Sequence, residues 1–256
     1  MSAAQPAGPL ELVARIPAAS NETFLASIDG VPVVYKPTAG EKPLWDFPDG
    51  DLADREVAAY LVSEWLGWNV VPYTWIGEGP LGPGMLQLWQ HVDTACDPVD
   101  VVPAGGILAQ GWLPVFEGLD EDDRPVALVH EDSAELRKLA VFDAIVNNAD
   151  RKGGHVLPMP DGHRYGIDHG LTFHVDHKLR TVLWGWVGES LTAEEVDGVQ
   201  RVRAALRPGG TLLSQLGPLL SKDELDAFAE RCDRMLADPR FPAPSGWMPA
   251  TPWPLF

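Results

Sequence analysis

The stretch Phe142-Asp143-Ala144-Ile145-Val146-Asn147-Asn148-Ala149-Asp150-Arg151-Lys152-Gly153-Gly154-His155, with Gly166-Ile167-Asp168-His169-Gly170 downstream, decides how the chain is read. Leu136, Leu139, Ala140, Phe142, Ile145 and Val146 recur at helical spacing. The run then ends in Asn, Asp and Gly, which accept the turn and left-handed geometries of a helix exit. The second segment reads as a short buried strand ending in an acid. Two aspartates, Asp150 and Asp168, are thereby delivered by two short loops. Such a pair suits phosphoryl transfer, in which one carboxylate orients an attacking hydroxyl and the other holds the metal that neutralises phosphate charge.

The 256 residues are 45% hydrophobic, enough for a substantial core in one large domain or two lobes sharing a cleft. The chain contains no apolar run of about eighteen residues and no basic-then-apolar leader, so a soluble, cytoplasmic protein is expected. Lysine and arginine total 19 against 37 acids, a net charge of −18 that repels polyanions. This balance argues against nucleic acid as a partner and against stable association with an anionic membrane. A nucleotide remains compatible, because a metal and one or two local lysines can reverse the potential inside a cleft. Cys96 and Cys232 form neither a disulfide framework nor a metal-spaced cluster.

Strands are expected at 11–16, 23–28 and 31–36, the last two joined at Asp29-Gly30, followed by a helix over 52–66 and further strands at 70–76 and 85–92. Residues 1–92 thus read as a β-sheet lobe with one helix. Residues 93–256 read as a mainly helical lobe, with an irregular insertion at 93–132 and a Pro- and Trp-rich tail at 241–256 packing back as a strap. Within it, helices are expected at 133–147, 192–206 and 221–236, the last two opened by capping boxes at Thr192 and Ser221. Short strands are expected near Val156, at 165–167 and at 181–184.

Lys36 ends the third strand, and Glu56, about twenty residues on, sits early in the following helix, where it can pair with Lys36 while the ammonium holds nucleotide phosphates. A strand lysine, a helix glutamate, a loop aspartate and a strand-end aspartate form an ordered set. On Val34-Tyr35-Lys36, Glu56, Asn148-Ala149-Asp150-Arg151-Lys152-Gly153-Gly154-His155 and Gly166-Ile167-Asp168-His169-Gly170, the chain resembles the atypical kinases of the phosphatidylinositol kinase and HipA-like group, including bacterial phosphatidylinositol 3- and 4-kinase-like proteins.

That resemblance implies an α+β, two-lobed protein-kinase-like fold, with an antiparallel β N-lobe and a mainly helical C-lobe. It also implies ATP with Mg²⁺ or Mn²⁺ as cofactors. Asp150 would be the catalytic aspartate, Asp168 a metal ligand and Arg151 a structural residue. Ser20 and Asn21 are candidates for the nucleotide loop, and Trp89 and Gln90 for the base contact, with strand-end packing as their alternative. His155 stands where the family has a metal-binding asparagine, and His169 where many relatives have phenylalanine. Imidazole suits manganese better than magnesium, so His155 is a candidate ligand, with a phosphate contact or no ligation as alternatives.

The reaction so implied is transfer of the ATP γ-phosphate to a hydroxyl of a protein or small molecule, the acidic balance disfavouring an anionic lipid. Two other classes stay open. The histidines at two site positions are compatible with a catalytically inactive nucleotide-binding adaptor. The cluster His155, His163, His169, His174 and His177 is compatible with a metal-dependent hydrolase, although no fixed helical His spacing supports it and these histidines read mostly as surface turn residues.

Overall fold

A computed structural model describes residues 5–17, 21–41, 52–106, 108–246 and 248–256. Strands β1 (Leu10–Arg15), β2 (Phe24–Ile28) and β3 (Val31–Pro37) run antiparallel. With β4 (Thr74–Gly79) and β5 (Gly82–Leu88) they make a five-stranded sheet ordered β1-β2-β3-β5-β4. Successive side chains alternate, so Val33 and Tyr35 join a small core with Ala26, Ile28, Trp75 and Leu86, while Lys36 emerges on the other face. Residues 70–73, expected as strand, are instead the irregular exit from a helix, where Val71 N donates to Ser63 Oγ. Residues 77–84, between the two expected strands, belong to the β4–β5 hairpin itself.

Helix α1 (Leu52–Leu66) lies against β4 and β5 on one side and against helices of the second half on the other. That double burial explains why Ala58, Ala59, Val62 and Leu66 are all fully buried in the main core rather than in the sheet's own. Its first amides, Leu52 N and Ala53 N, donate to the carboxylate of Glu41 at 2.9 and 3.0 Å, satisfying orphan donors at the helix start.

The second half departs from expectation at 93–132. The segment is not irregular: β6 (Val99–Pro103), β7 (Trp112–Leu119) and β8 (Pro125–Glu131) form an antiparallel sheet ordered β6-β8-β7. Prolines within it do not prevent pairing, because Pro103 and Pro125 sit at strand ends and Pro114 at a register shift, positions where a missing amide costs little. The acidic run 117–123 closes the β7–β8 hairpin, where Asp120 accepts the amides of Asp122 and Arg124.

The helices α2 (Ala134–Val146), α3 (Ala193–Ala205) and α5 (Lys222–Ala237) form as expected, and both capping boxes are present. A short α4 (Thr211–Leu216) was not expected, and 181–184 form no strand beyond a bridge between Arg151 and Thr181. Strands β9 (Val156–Pro158) and β10 (Arg164–Gly166) pair as a small hairpin. Cys232 is buried and Cys96 partly so, both as free thiols. The tail does pack back without helix: Ala250 O accepts from Thr181 N and Trp184 Nε1, and Leu255 O accepts from Gly153 N at 2.8 Å. Trp253, in the same segment, is 86% exposed.

Helix α2 ends on Asn147 in the left-handed conformation, with φ 58°, and turns the chain into the loop that carries Asp150. This loop is fastened by a buried ion pair. Arg151 Nε and Nη2 donate to Asp143 Oδ2 and Oδ1 at 2.8 and 2.9 Å, and neither side chain is exposed. Nη1 donates to the carbonyls of His155 and Ile167, both at 3.0 Å. Gly166 must be a glycine for the same reason: a Cβ there would lie 2.7 Å from Arg151 Nη2 and from Leu139 Cδ1. Removing one partner of such a buried pair leaves an uncompensated charge, at a cost of about 3–5 kcal/mol. Asp143→Asn is therefore expected to lower unfolding stability by about that amount in a denaturant titration. An unchanged midpoint would show that Arg151 is held without Asp143.

Candidate active site

Lys36, Glu56, Asp150 and Asp168 border one cavity of about 200 Å³, together with Asn21, Glu22, Glu41, Met85 and the first residues of α1. Lys36 Nζ donates to Glu56 Oε1 at 2.7 Å and to Asp168 Oδ1 at 2.8 Å. The second oxygen of Glu56 accepts the His169 amide at 2.9 Å, so one buried carboxylate joins the sheet, α1 and the Asp168 loop. Asp168 itself takes φ 62°, a left-handed conformation uncommon outside glycine and tolerated best by Asn and Asp. Neighbouring bonds hold it there: Ile167 O on one side accepts from Arg151, and His169 N on the other donates to Glu56.

The electrostatics follow from these contacts. Burial alone would lower the Lys36 ammonium, but Asp168 and Glu56 outweigh it and hold the pKa well above the ordinary lysine value. The same ammonium keeps the half-exposed Asp168 far below the usual carboxylate range. Asp150 moves the other way, raised chiefly by burial and opposed by Lys152. A raised carboxylate pKa makes Asp150 a stronger base than a solvated aspartate.

His155 faces both acids. Its Nδ1 lies 2.9 Å from Asp150 O, which can only accept, so the proton sits on Nδ1 and the Nε2 lone pair is free. Burial lowers the pKa of this ring, favouring that neutral form. Its Nε2 lies 3.3 Å from Asp168 Oδ2, two acceptors facing one another. The donor atoms of Asp150, His155 and Asp168 all lie within 4.8 Å of each other. Two carboxylates and a neutral imidazole with a lone pair turned inward fit a divalent cation, with the imidazole favouring manganese over magnesium.

The other expected residues fall out unevenly. Asn21 lines the cavity, while Ser20 lies outside the described residues. Trp89 and Gln90 follow the end of β5 and are not among the cavity's lining residues; Trp89 N donates to Pro32 O and Gln90 Nε2 to Leu88 O. Asn148 braces the loop, donating to Asp143 Oδ1 and accepting from Asp150 N.

His169 is not a surface residue: it is fully buried, edge-on to Phe142, and its Nε2 accepts from Arg151 at 2.7 Å. Burial and Arg151 push its pKa well down, so it is a neutral core group, and among the described residues it does not join the cation cluster. Of the five clustered histidines, His155 alone joins that cluster among the described residues. His163 instead meets Asn69 O, and His174 accepts from Asp176 N.

Four contributors were missed from sequence. Lys152 Nζ lies 3.3 Å from Asp150 Oδ2, a second cation beside the acid, and adjacency alone could have flagged it. Asp143 had a signal too, as the one acid in the apolar run 139–146. Glu41 and Met85 had none, because only the tertiary structure brings them to the cavity.

No family model matches the chain. A Helicobacter pylori proinflammatory kinase, CtkA, has a solved structure that superposes with a TM-score of 0.47 at 11% identity, covering 92% of this chain and 94% of that one. A likeness that loose carries neither fold nor activity. Protein Rv2133c of Mycobacterium tuberculosis is 47% identical over 262 residues, spanning 97% of this chain and 93% of the relative. At that identity and coverage, the chain belongs to the same family as Protein Rv2133c.

Proposed function

We propose that the cleft binds ATP with Mg²⁺ or Mn²⁺ and passes the γ-phosphate to a hydroxyl of a protein or small molecule, in a protein-kinase-like fold of the phosphatidylinositol-kinase and HipA-like type. The observation that carries this reading is Lys36 Nζ bridging Glu56 and Asp168, with Asp150 on the same cavity. Glu56 holds the ammonium where it can engage phosphate oxygens. Asp150, raised by burial, orients the acceptor hydroxyl and takes its proton. Lys152 is positioned to offset charge beside it. A divalent cation held by Asp168 and His155 would neutralise phosphate charge. The second reading, nucleotide binding without transfer, draws on the direct Lys36–Asp168 bond, which occupies one oxygen of that carboxylate.

Asp150→Asn is expected to lower phosphate transfer from labelled ATP, to the protein itself or to an added hydroxyl acceptor, by about 10²–10⁴-fold, with ATP affinity by calorimetry little changed. Wild-type turnover by that variant would remove Asp150 from the chemistry. Lys36→Met should instead weaken ATP binding. ATP binding by the wild type with no transfer to any acceptor would favour the second reading.

The donor set yields a separate expectation about the metal. Mn²⁺ should bind more tightly than Mg²⁺ by electron paramagnetic resonance competition, and His155→Asn should shrink that preference as the imidazole is replaced by an amide oxygen. An unaltered preference in the variant would exclude His155 as a ligand.

A further inference from the structure

A larger cavity, of about 380 Å³, opens away from the cleft, between the C-terminal end of α5, the loop around His177 and the chain following α5. Arg231, Arg234 and Arg240 all line it. In a chain of net charge −18, such a gathering of guanidiniums is out of keeping with the rest of the surface.

Arg231 is the informative member. It is only 6% exposed. Its Nε donates to Ile145 O at 2.8 Å and its Nη1 to His174 O at 3.1 Å. Its Nη2 is buried and has no hydrogen-bond partner among the described residues. Two neutral carbonyls satisfy part of the guanidinium's donors but not its charge, and among the described residues no carboxylate forms an ion pair with it. A buried cation left in that state is costly unless an anion completes it.

The surrounding charges do not supply that anion. Arg234 meets Glu230 at 3.6 Å in an exposed pair, and Arg240 meets Asp238 at 3.5 Å while donating to Gly188 O. Burial, then Arg231 and Arg234, push the His177 imidazole down, so it adds no charge. Three guanidiniums therefore stand against two carboxylates, Asp238 on the wall and Glu230 beside it, and Arg231 is the charge left over. Leu179, Met235 and Phe241 make the remaining wall apolar.

We infer that this cavity is a second ligand site, independent of the cleft, for a small phosphomonoester: a dianionic head against the arginines and a compact apolar body against Met235 and Phe241. The pairs of Arg234 and Arg240 with their carboxylates are loose, at 3.6 and 3.5 Å, so both forks can turn to a phosphate head beside Arg231, and a dianion holds them more strongly than a monoanion. Guanidinium forks also match phosphate oxygens in geometry as well as charge.

Isothermal titration of the full chain with phenyl phosphate, inorganic phosphate and phenylacetate tests this. Phenyl phosphate should bind saturably, and the other two more weakly, phosphate for want of the apolar body and phenylacetate for want of the second charge. Arg231 also ties α5 to Ile145, so Arg231→Met can fail to fold. The exposed double variant Arg234→Gln/Arg240→Gln therefore decides, and should weaken phenyl phosphate by about tenfold or more. Lys36→Met, which alters the cleft, should leave that binding unchanged.

No saturable binding of phenyl phosphate, or undiminished binding in the double variant, overturns the site. Loss of binding in Lys36→Met assigns the titration to the cleft and likewise overturns it. Equal affinity for phenylacetate overturns the phosphomonoester assignment.

Discussion

The five N–H donors of Arg151 meet five acceptors, and the placement of Asp150 and Asp168 in the cleft depends on that arrangement. Two donors go to Asp143 in α2, one each to the carbonyls of His155 and Ile167, and one to His169 Nε2. One side chain thus binds the helix, the Asp150 loop and the Asp168 loop to each other. A lysine could not do this, because its three donors radiate from one point and lack the planar fork. Because the pair is wholly buried, it is a device of position more than of net stability: desolvation offsets much of the attraction, while the geometry admits one arrangement.

Glu56 plays the corresponding part between the halves of the molecule. Its two oxygens take Lys36 from β3 and the His169 amide from the loop beyond β10, while α1 seats it in the main core. Arg151 and Glu56 therefore hold the Asp168 backbone from both sides. Its left-handed conformation, of the kind that costs on the order of 1–3 kcal/mol, is sustained by these flanking bonds. The consequence for chemistry is that Asp168 points at Lys36 and His155 rather than along the strand.

Much of this was legible in the residues. Lys36 and Glu56 could be paired from their order on a strand and the next helix, and the two loop aspartates from the turn-forming residues around them. The capping boxes at Thr192 and Ser221 marked helix starts by local hydrogen bonding alone. The sheet at 93–132 was hidden because proline content is a local signal, whereas tolerance of proline depends on whether a strand lies at an end or a bulge. His169 was misread for a similar reason. A histidine beside glycines resembles a turn residue until the partner that buries it, Arg151, is seen to come from eighteen positions earlier.

The sequence by itself determined which chemical groups are present and their local presentation: alternation exposes Lys36 on one face of its strand, and Asn147 ends α2 so that Asp150 follows in a loop. These are short-range consequences of backbone sterics and periodicity. Tertiary structure decided which groups meet. It brought Lys36 to Asp168, turned the His155 lone pair toward that carboxylate, drew Glu41 to the cleft and left Arg231 buried without a counter-ion. The reason is that burial and charge pairing are set by neighbours distant in the chain, and no local pattern encodes the low-dielectric surroundings that give those contacts their direction.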